Sequence, residues 1–467
     1  MQIYSTLSRE KRQFVPRDQG KVALYVCGPT VYDDPHLGHA RSTIVFDAIR
    51  RYLIYRGFDV TYVSNFTDVD DRIINRAQQE GIEPAAVAER YIESWIGYMD
   101  RLGVMPPDIA PRATAHIPQM IDLIEKLIEA GKAYEANGDV YFSIASFDSY
   151  GALSGRKIDE LEAGARVEPG EHKHDPLDFA LWKASKPGEP SWDSPWGPGR
   201  PGWHIECSAM SEEYLGEGFD IHGGGHDLIF PHHENERAQS EALGGEFAQI
   251  WMHNGLVNLE GEKMSKSTGQ FVSLAEILER NDPQIVRLMS LQSHYRRPVD
   301  FGPSEIDQAR AALERIQEFD RRARQYVSGS EPGDAGEAIE AHRQGFIDAM
   351  DDDFNTPEAI AEIFELVRAG NNAIDSGRPV AEVGAYMREV EELCEVLGLD
   401  ARQGAEAPTG AADALVDLVI SVRDEARQKK DWDLADRLRD ALADLGVVVE
   451  DSSGGAVWHW RSPGSRT

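Results

Sequence analysis

Two hydrophobic rhythms alternate along the chain, and the switches between them set the predicted architecture. Residues 21–27, Lys-Val-Ala-Leu-Tyr-Val-Cys, form a near-continuous apolar run that predicts a buried strand. Gly28-Pro29 breaks it. After a polar stretch containing His36, Gly38 and His39, the residues Val45, Ala48, Ile49, Tyr52 and Leu53 recur at helical spacing until Gly57. Residues 59–64 read as a second strand, so the chain opens as strand, helix, strand, the unit of a parallel sheet. Ligands of such sheets sit beyond the carboxyl ends of the strands. Cys27, the His36–His39 pair and the polar run 65–71 all fall there.

Further on, 84–103 and 117–130 carry helical apolar stripes, and 134–142 reads as a hairpin with Asn137-Gly138 as its turn. Residues 150–200 are rich in Gly and Pro, and 110–200 reads as an insertion within the sheet domain with loose loops near 160–176 and 186–200. Residues 203–210 lead back to the sheet edge, and 251–257 reads as another strand. From Pro303 the pattern is helical, with amphipathic spans at 306–326, 338–350, 357–375 and 380–397. A linker composition over 398–410 precedes a last segment of two helices and two short strand-like runs, 447–450 and 456–460.

A length of 467 residues predicts two to four domains. No apolar run approaches the roughly 18 residues of a membrane span, and the first twenty residues lack a signal-type apolar core. Three cysteines argue against a disulfide framework and for a reducing, cytoplasmic setting. The net charge of −33 excludes indiscriminate attraction to polyanions, so any nucleic-acid surface must be local. Only 12 of the 48 basic residues are lysines, a composition that suits a high-salt interior.

The stretch 219–236, FDIHGGGHDLIFPHHENE, carries the densest chemistry. Its glycines 223–225 allow backbone to approach a ligand. If a helix opens at Pro231, His232 and Glu236 are four apart on one face and can share a metal ion. Cys27 and Cys207 are the candidate further ligands, which gives one zinc on Cys27, Cys207, His232 and Glu236. His233 or Glu234 can take a neighbour's place, and either cysteine can be a small buried hydrophobe. Cys394 falls on an amphipathic helix and reads as core.

His36-Leu-Gly-His39 opens a helix, where free backbone N–H groups attract phosphate, and two imidazoles can donate to growing phosphate charge. By itself the pair can equally be helix caps. Lys263-Met-Ser-Lys266-Ser places two ammonium groups in one loop, suited to a leaving pyrophosphate, and by itself can be a surface turn. Together and in this order, the two motifs resemble the nucleotide signatures of class I aminoacyl-tRNA synthetases. CGPTVYD at Cys27, NFTDVDD at 65–71, PGWHIECSAM at 201–210, the 219–236 stretch and DDDFNTPEA at 351–359 narrow the resemblance to the cysteinyl-tRNA synthetases, from about residue 20 to the end.

That resemblance implies an α/β chain: a Rossmann-like parallel-sheet catalytic domain in two halves, 1–110 and 201–302, around a connective insertion, 111–200. A helical bundle, 303–400, and a small C-terminal anticodon-binding domain, 411–467, follow. It implies activation of cysteine by ATP with Mg2+, then transfer to the 3′ end of cysteine tRNA, by a monomer. It places one zinc on Cys27, Cys207, His232 and Glu236. His36, Gly38, His39, Lys263 and Lys266 fall to ATP and its chemistry, and Thr67, Trp203 and Asp227 to the cysteine pocket. Zinc has a physical reason there, because apolar packing separates substrates differing by one group only about 10–200-fold, whereas zinc separates thiolate from hydroxyl by bond type. His226 departs from the family pattern and is a potential rival ligand.

The acidic balance relaxes near the C-terminus, where 401–467 holds 12 acidic and 9 basic residues. Arg423, Arg427 and Lys430 are spaced as one helical face, Arg437 and Arg439 lie on the next helix, and Trp432, Trp458 and Trp460 can stack bases. The family reads the anticodon with this region, so these residues are the expected tRNA contacts; a solvated basic face beside buried tryptophans is the alternative. Two rival functions remain, a ligase joining cysteine to an amino-sugar and an inactive RNA-binding paralogue.

Overall fold

The computed structural model describes residues 1–157, 172–259, 262–263, 273–327, 336–402, 411–444, 447–452 and 455–460. The chain divides into two compact units, Met1–Gln403 and Gly404–Thr467. In the first, a small antiparallel pair, β1 (Gln2–Ser5) and β2 (Glu10–Gln13), precedes β3 (Lys21–Val26). Helix α1 (Leu37–Tyr55) and β4 (Asp59–Ser64) complete the strand–helix–strand unit that the apolar rhythm predicts, with β3 and β4 parallel.

Helices α2 (Asp71–Glu80), α3 (Pro84–Arg101) and α4 (Ile117–Glu129) follow. The hairpin of β5 (Ala133–Ala136) and β6 (Asp139–Phe142) turns at Asn137 and Gly138, with φ of 57° and 86°, as an Asn-Gly turn demands. Of the expected loop near 160–176, residues 160–171 lie outside the described residues, and the rest of the Gly- and Pro-rich segment holds regular structure. It supplies β7 (Phe179–Ala184) and β8 (Gly199–Pro201), which extend the hairpin into a four-stranded antiparallel sheet. Buried Leu181 and Trp182 anchor it.

Helix α5 (Trp203–Leu215) returns the chain to β9 (Phe219–Gly225), then α6 (Glu234–Glu241) and β10 (Ala248–Asn254). The main sheet runs β10-β9-β3-β4, every neighbour parallel. Both faces are covered, which explains why β3 reads as a nearly unbroken apolar run. Val22, Leu24 and Val26 pack with Phe46 and Ile49 of α1, while Tyr25 joins Ile205, Met210 and Trp251 on the opposite side. The predicted strand 251–257 is two strands broken at Gly255-Leu256, because β11 (Val257–Leu259) pairs instead with β12 (Glu262–Lys263) and β13 (Val299–Phe301).

Between those strands lie α7 (Leu274–Arg280) and α8 (Pro283–Leu291). Fully buried Arg287 of α8 donates to Asp47 of α1, which is also buried. Removing one partner of such a pair costs about 3–5 kcal/mol. Four helices, α9 (Pro303–Val327), α10 (Glu337–Asp351), α11 (Thr356–Asp375) and α12 (Val380–Val396), form a bundle that buries Cys394. The second unit contains α13 (Ala411–Gln428), α14 (Trp432–Asp444) and the antiparallel pair β14 (Val447–Ser452) and β15 (Gly455–Trp460), around Val416, Ile420, Leu442 and Val447.

Candidate active site and metal centre

The main sheet ends on a cavity of about 730 Å³ whose lining includes Cys27, His36, Gly38, His39, Trp203 and Asp227. Cys27 stands one residue past β3, its N–H donated to the Gly223 carbonyl at 3.2 Å. Cys207 faces it from α5 and is 1% exposed. His232 and Glu236 arrive from the approach to α6. The expected helix start at Pro231 is corrected here: Ile229–His233 forms a wide turn interrupted by extended Phe230, and the regular helix begins at Glu234. The spacing survives, with His232 Nε2 3.0 Å from Glu236 Oε1. Cys27 Sγ donates to the same oxygen at 3.4 Å.

Cys27, Cys207, His232 and Glu236 therefore bring two sulfurs, one nitrogen and one carboxylate oxygen within 4.8 Å of one another. Their electrostatics suit a cation. A hydrogen bond from Cys27, opposed by burial, brings the Cys207 thiol down to about 6. Burial, then the hydrogen bond with Cys207, pushes Cys27 up. Burial opposes charge on His232, but Glu236 and Cys207 outweigh it and raise the ring to about 10. Glu236 lies well below the usual carboxylate range, because His232 and His222 outweigh its burial. The site thus holds a thiolate, a thiol, an imidazolium and a carboxylate, and a divalent ion can replace the two protons.

Around this set stands a shell that sequence reasoning foresaw only at Trp203 and His233. His204 Nδ1 meets His232 Nδ1 at 2.9 Å, and Trp203 stacks on His232 with centroids 4.3 Å apart. Asn65 Oδ1 accepts from the Gly28 N–H at 2.9 Å and from the Tyr25 hydroxyl at 3.1 Å, fixing the backbone beside Cys27. His222 Nε2 lies 2.8 Å from Glu236 Oε2, and His233 Nδ1 lies 2.8 Å from His253 Nε2. A second four-residue set, Cys27, His222, His233 and Glu236, overlaps the first. Within the described residues His222 Nδ1 and His233 Nε2 have no hydrogen-bond partner. Burial holds His233 well below its usual value, so its ring is neutral.

Glu234 is turned elsewhere, accepting the Ser154 N–H at 2.7 Å. His226 is exposed and belongs to neither set. The close approach expected at the glycines is internal: a Cβ on Gly223 would stand 2.3 Å from the Phe46 ring, and one on Gly224 2.7 Å from the His233 ring. Of the three expected cysteine-pocket residues, Trp203 and Asp227 line the cavity. Thr67 is 1% exposed, and its hydroxyl donates to buried Glu206 at 2.8 Å.

His36 and His39 do cap the helix. Each Nδ1 accepts the other's backbone N–H at 3.3 Å, and the rings stack 3.7 Å apart. A neutral ring so engaged carries its proton on Nε2. Both rings also line the cavity, so capping does not withdraw them from it. Lys263 lies on β12, whereas Lys266 and the rest of its loop lie outside the described residues.

In the C-terminal unit the single basic face is corrected. Helix α13 ends at Gln428, and Lys430 sits beyond it with φ of 58°. Arg423 is 4% exposed and pairs with Asp424, so its charge faces inward. Lys430, Arg437 and Arg439 are exposed, Arg427 is half-buried, and Trp432 is 56% exposed at the start of α14. The side chains of Trp458 and Trp460 lie outside the described residues.

Three family descriptions match the chain: tRNA synthetases class I (C) catalytic domain over residues 13–311, DALR domain over 345–402, and cysteinyl-tRNA ligase anticodon binding domain over 409–461. A cysteine–tRNA ligase of Heliobacterium modesticaldum is 50% identical over 98% of this chain and 99% of its own. Another, from Thermococcus onnurineus, is 48% identical over 98% of each. Among solved structures, Mycobacterium tuberculosis methionyl-tRNA synthetase with methionyl-adenylate superposes with a TM-score of 0.57 at 17% identity, covering 81% of this chain and 90% of that one. An Agrobacterium radiobacter leucyl-tRNA synthetase gives 0.59 at 12% identity over 82% and 86%. At such identities these two speak for the fold alone.

Proposed function

Because the chain belongs to the cysteinyl-tRNA synthetase family, we propose that its ligation of cysteine to tRNA selects the substrate through one zinc held by Cys27, Cys207, His232 and Glu236. The chain is a class I synthetase: it activates cysteine with ATP to cysteinyl-adenylate and passes it to the 3′ end of cysteine tRNA. The observation that carries the zinc reading is the convergence of two sulfurs, a nitrogen and a carboxylate oxygen within 4.8 Å, with Cys27 shared between that cluster and the cavity. Zinc favours this donor set, and when bound it offers a thiolate a bond that a neutral hydroxyl cannot match.

The chain's own residues do the rest. His204 orients His232 through Nδ1 and leaves Nε2 toward the cluster. Trp203 and Asp227 border the cysteine, and Thr67, tied to Glu206, supports the pocket from beneath. His36 and His39 direct Nε2–H toward phosphate, Gly38 admits the nucleotide, and Lys263 and Lys266 neutralise the pyrophosphate as it leaves. ATP enters with Mg2+, and the enzyme works as a monomer. Arg427, Lys430, Trp432, Arg437 and Arg439 bind the anticodon end of the tRNA. No described helix is long and apolar enough to cross a membrane. The test is cysteine-dependent ATP–pyrophosphate exchange, with aminoacylation of tRNA measured against ligation to a sugar amine. Exchange with charging of tRNA supports this reading, and transfer to the sugar alone contradicts it.

A further inference from the structure

The active-site helix carries a buried cation that the roles above leave unused. Arg41, five residues past His36 on α1, is 0% exposed. Among the described residues no carboxylate pairs with it. Instead its guanidinium donates to three backbone carbonyls: Leu256 at 2.9 Å, Arg297 at 2.5 Å and Tyr295 at 3.4 Å. Burial brings the group down to about 10, so it stays charged at neutral pH. A buried charge held only by carbonyl dipoles is costly, and an uncharged side chain would be the simpler way to fill the space.

The three carbonyls occupy a defined place. Leu256 sits in the break between β10 and β11, lines the cavity and leads into β11, whose partner β12 carries Lys263. Tyr295 and Arg297 belong to the segment that enters β13, the parallel neighbour of β11. That segment is held from its other side by Asp353, which accepts from the Tyr295 hydroxyl and from Arg296 Nε, each at 2.8 Å. Gly255 closes the junction, its N–H donated to Tyr295 at 2.7 Å. A Cβ there would stand 2.3 Å from the Arg297 carbonyl. One residue from Arg41, the Ser42 hydroxyl donates to Asn254 at 2.8 Å. The helix that begins with one nucleotide motif is thus tied to the backbone that leads into β11 and β12, where Lys263 opens the other.

We infer that Arg41 is a positioning residue for the activation step: by gripping the carbonyls of Leu256, Tyr295 and Arg297, it fixes the His36–His39 helix start against the backbone that enters β11, whose partner β12 carries Lys263. This rests on the assignment of both motifs to ATP. Only the planar guanidinium reaches three carbonyls, so a lysine keeps the charge and loses the span. Activation needs both motifs at once. Transfer from a preformed adenylate does not, because the pyrophosphate has already left.

The test is Arg41→Lys in the full-length enzyme, read in both half-reactions. Expected are about 10- to 100-fold slower cysteine-dependent ATP–pyrophosphate exchange, an unchanged cysteine KM, and single-turnover transfer from preformed adenylate within about twofold of the parent. Ser42→Ala cuts the adjacent tie more gently and is expected to slow exchange by a few fold with the same sparing of transfer. Exchange at the parent rate in both variants overturns the inference, as does an equal fall in both half-reactions at unchanged thermal stability. If the parent itself lacks cysteine-dependent exchange, the functional assignment fails instead.

Discussion

Two overlapping four-residue sets share Cys27 and Glu236, and one substitution separates them. Cys207→Ser removes a sulfur from the proposed set and leaves Cys27, His222, His233 and Glu236 intact. Serine is nearly isosteric, and Cys207 is 1% exposed within α5, so the fold should hold. The hydroxyl stays protonated where the thiol is drawn down to about 6. If the roughly 10–16 kcal/mol of a structural zinc site is shared among four ligands, losing one costs about 2.5–4 kcal/mol, or roughly 70- to 900-fold in affinity. The assay is zinc content by elemental analysis after equilibration with a graded chelator, beside the KM for cysteine. Cys207→Ser should release zinc at roughly two orders of magnitude less chelator and raise the cysteine KM steeply. His233→Gln should shift retention no more than the roughly 10- to 100-fold expected of a supporting residue. Full retention in Cys207→Ser together with loss in His233→Gln would refute the ligand assignment and move the metal to the histidine-rich set.

Lys266→Ala should slow adenylate formation by at least about tenfold while zinc content stays at one per chain; an emptied metal site would contradict the division of roles. Reversing Arg427, Arg437 and Arg439 to Glu should weaken tRNA binding and flatten its salt dependence by about 0.7–0.9 in log–log slope for each phosphate no longer neutralised, leaving pyrophosphate exchange intact; unchanged binding would remove these residues from the interface. Asp351 joins α10 to α1, accepting from Tyr52 at 2.6 Å and pairing with Arg56. Burial raises its carboxyl, but Arg56 and Tyr52 more than offset this and hold it below the usual value. Its contribution is therefore present above the unfolded value near 3.9 and fades as pH falls through the folded one. Urea unfolding should show Asp351→Asn less stable than the parent at pH 7, with the gap closing toward pH 3; an equal gap at both would contradict this linkage.

The sequence carried the site better than its surroundings. An unbroken apolar strand followed by a 3.6-residue stripe specifies the βαβ unit, and the four-residue spacing of His232 and Glu236 survives even though the helix starts three residues later than Pro231 suggests. The wide turn was hidden because spacing alone cannot tell it from a first helical turn. Strands β7 and β8 were masked by flanking Gly and Pro, and β8, at three residues, is too short to show alternation. The histidine shell was illegible for another reason: His222 and His253 lie on parallel strands β9 and β10, and only the pairing places them beside His233. The predicted strand 251–257 put His253 near its start, whereas β10 ends at Asn254 and so places His253 at the carboxyl end, where ligand-facing groups gather. The basic face failed because periodicity does not announce a helix end at Gln428 or the burial of Arg423.

The claim that a metal recognises the substrate sulfur is tested most directly by X-ray absorption at the zinc edge, with and without cysteine. The account predicts two sulfur neighbours at about 2.3 Å in the free enzyme, from Cys27 and Cys207, and three once cysteine binds. A single sulfur neighbour, or a count unmoved by cysteine, would contradict it.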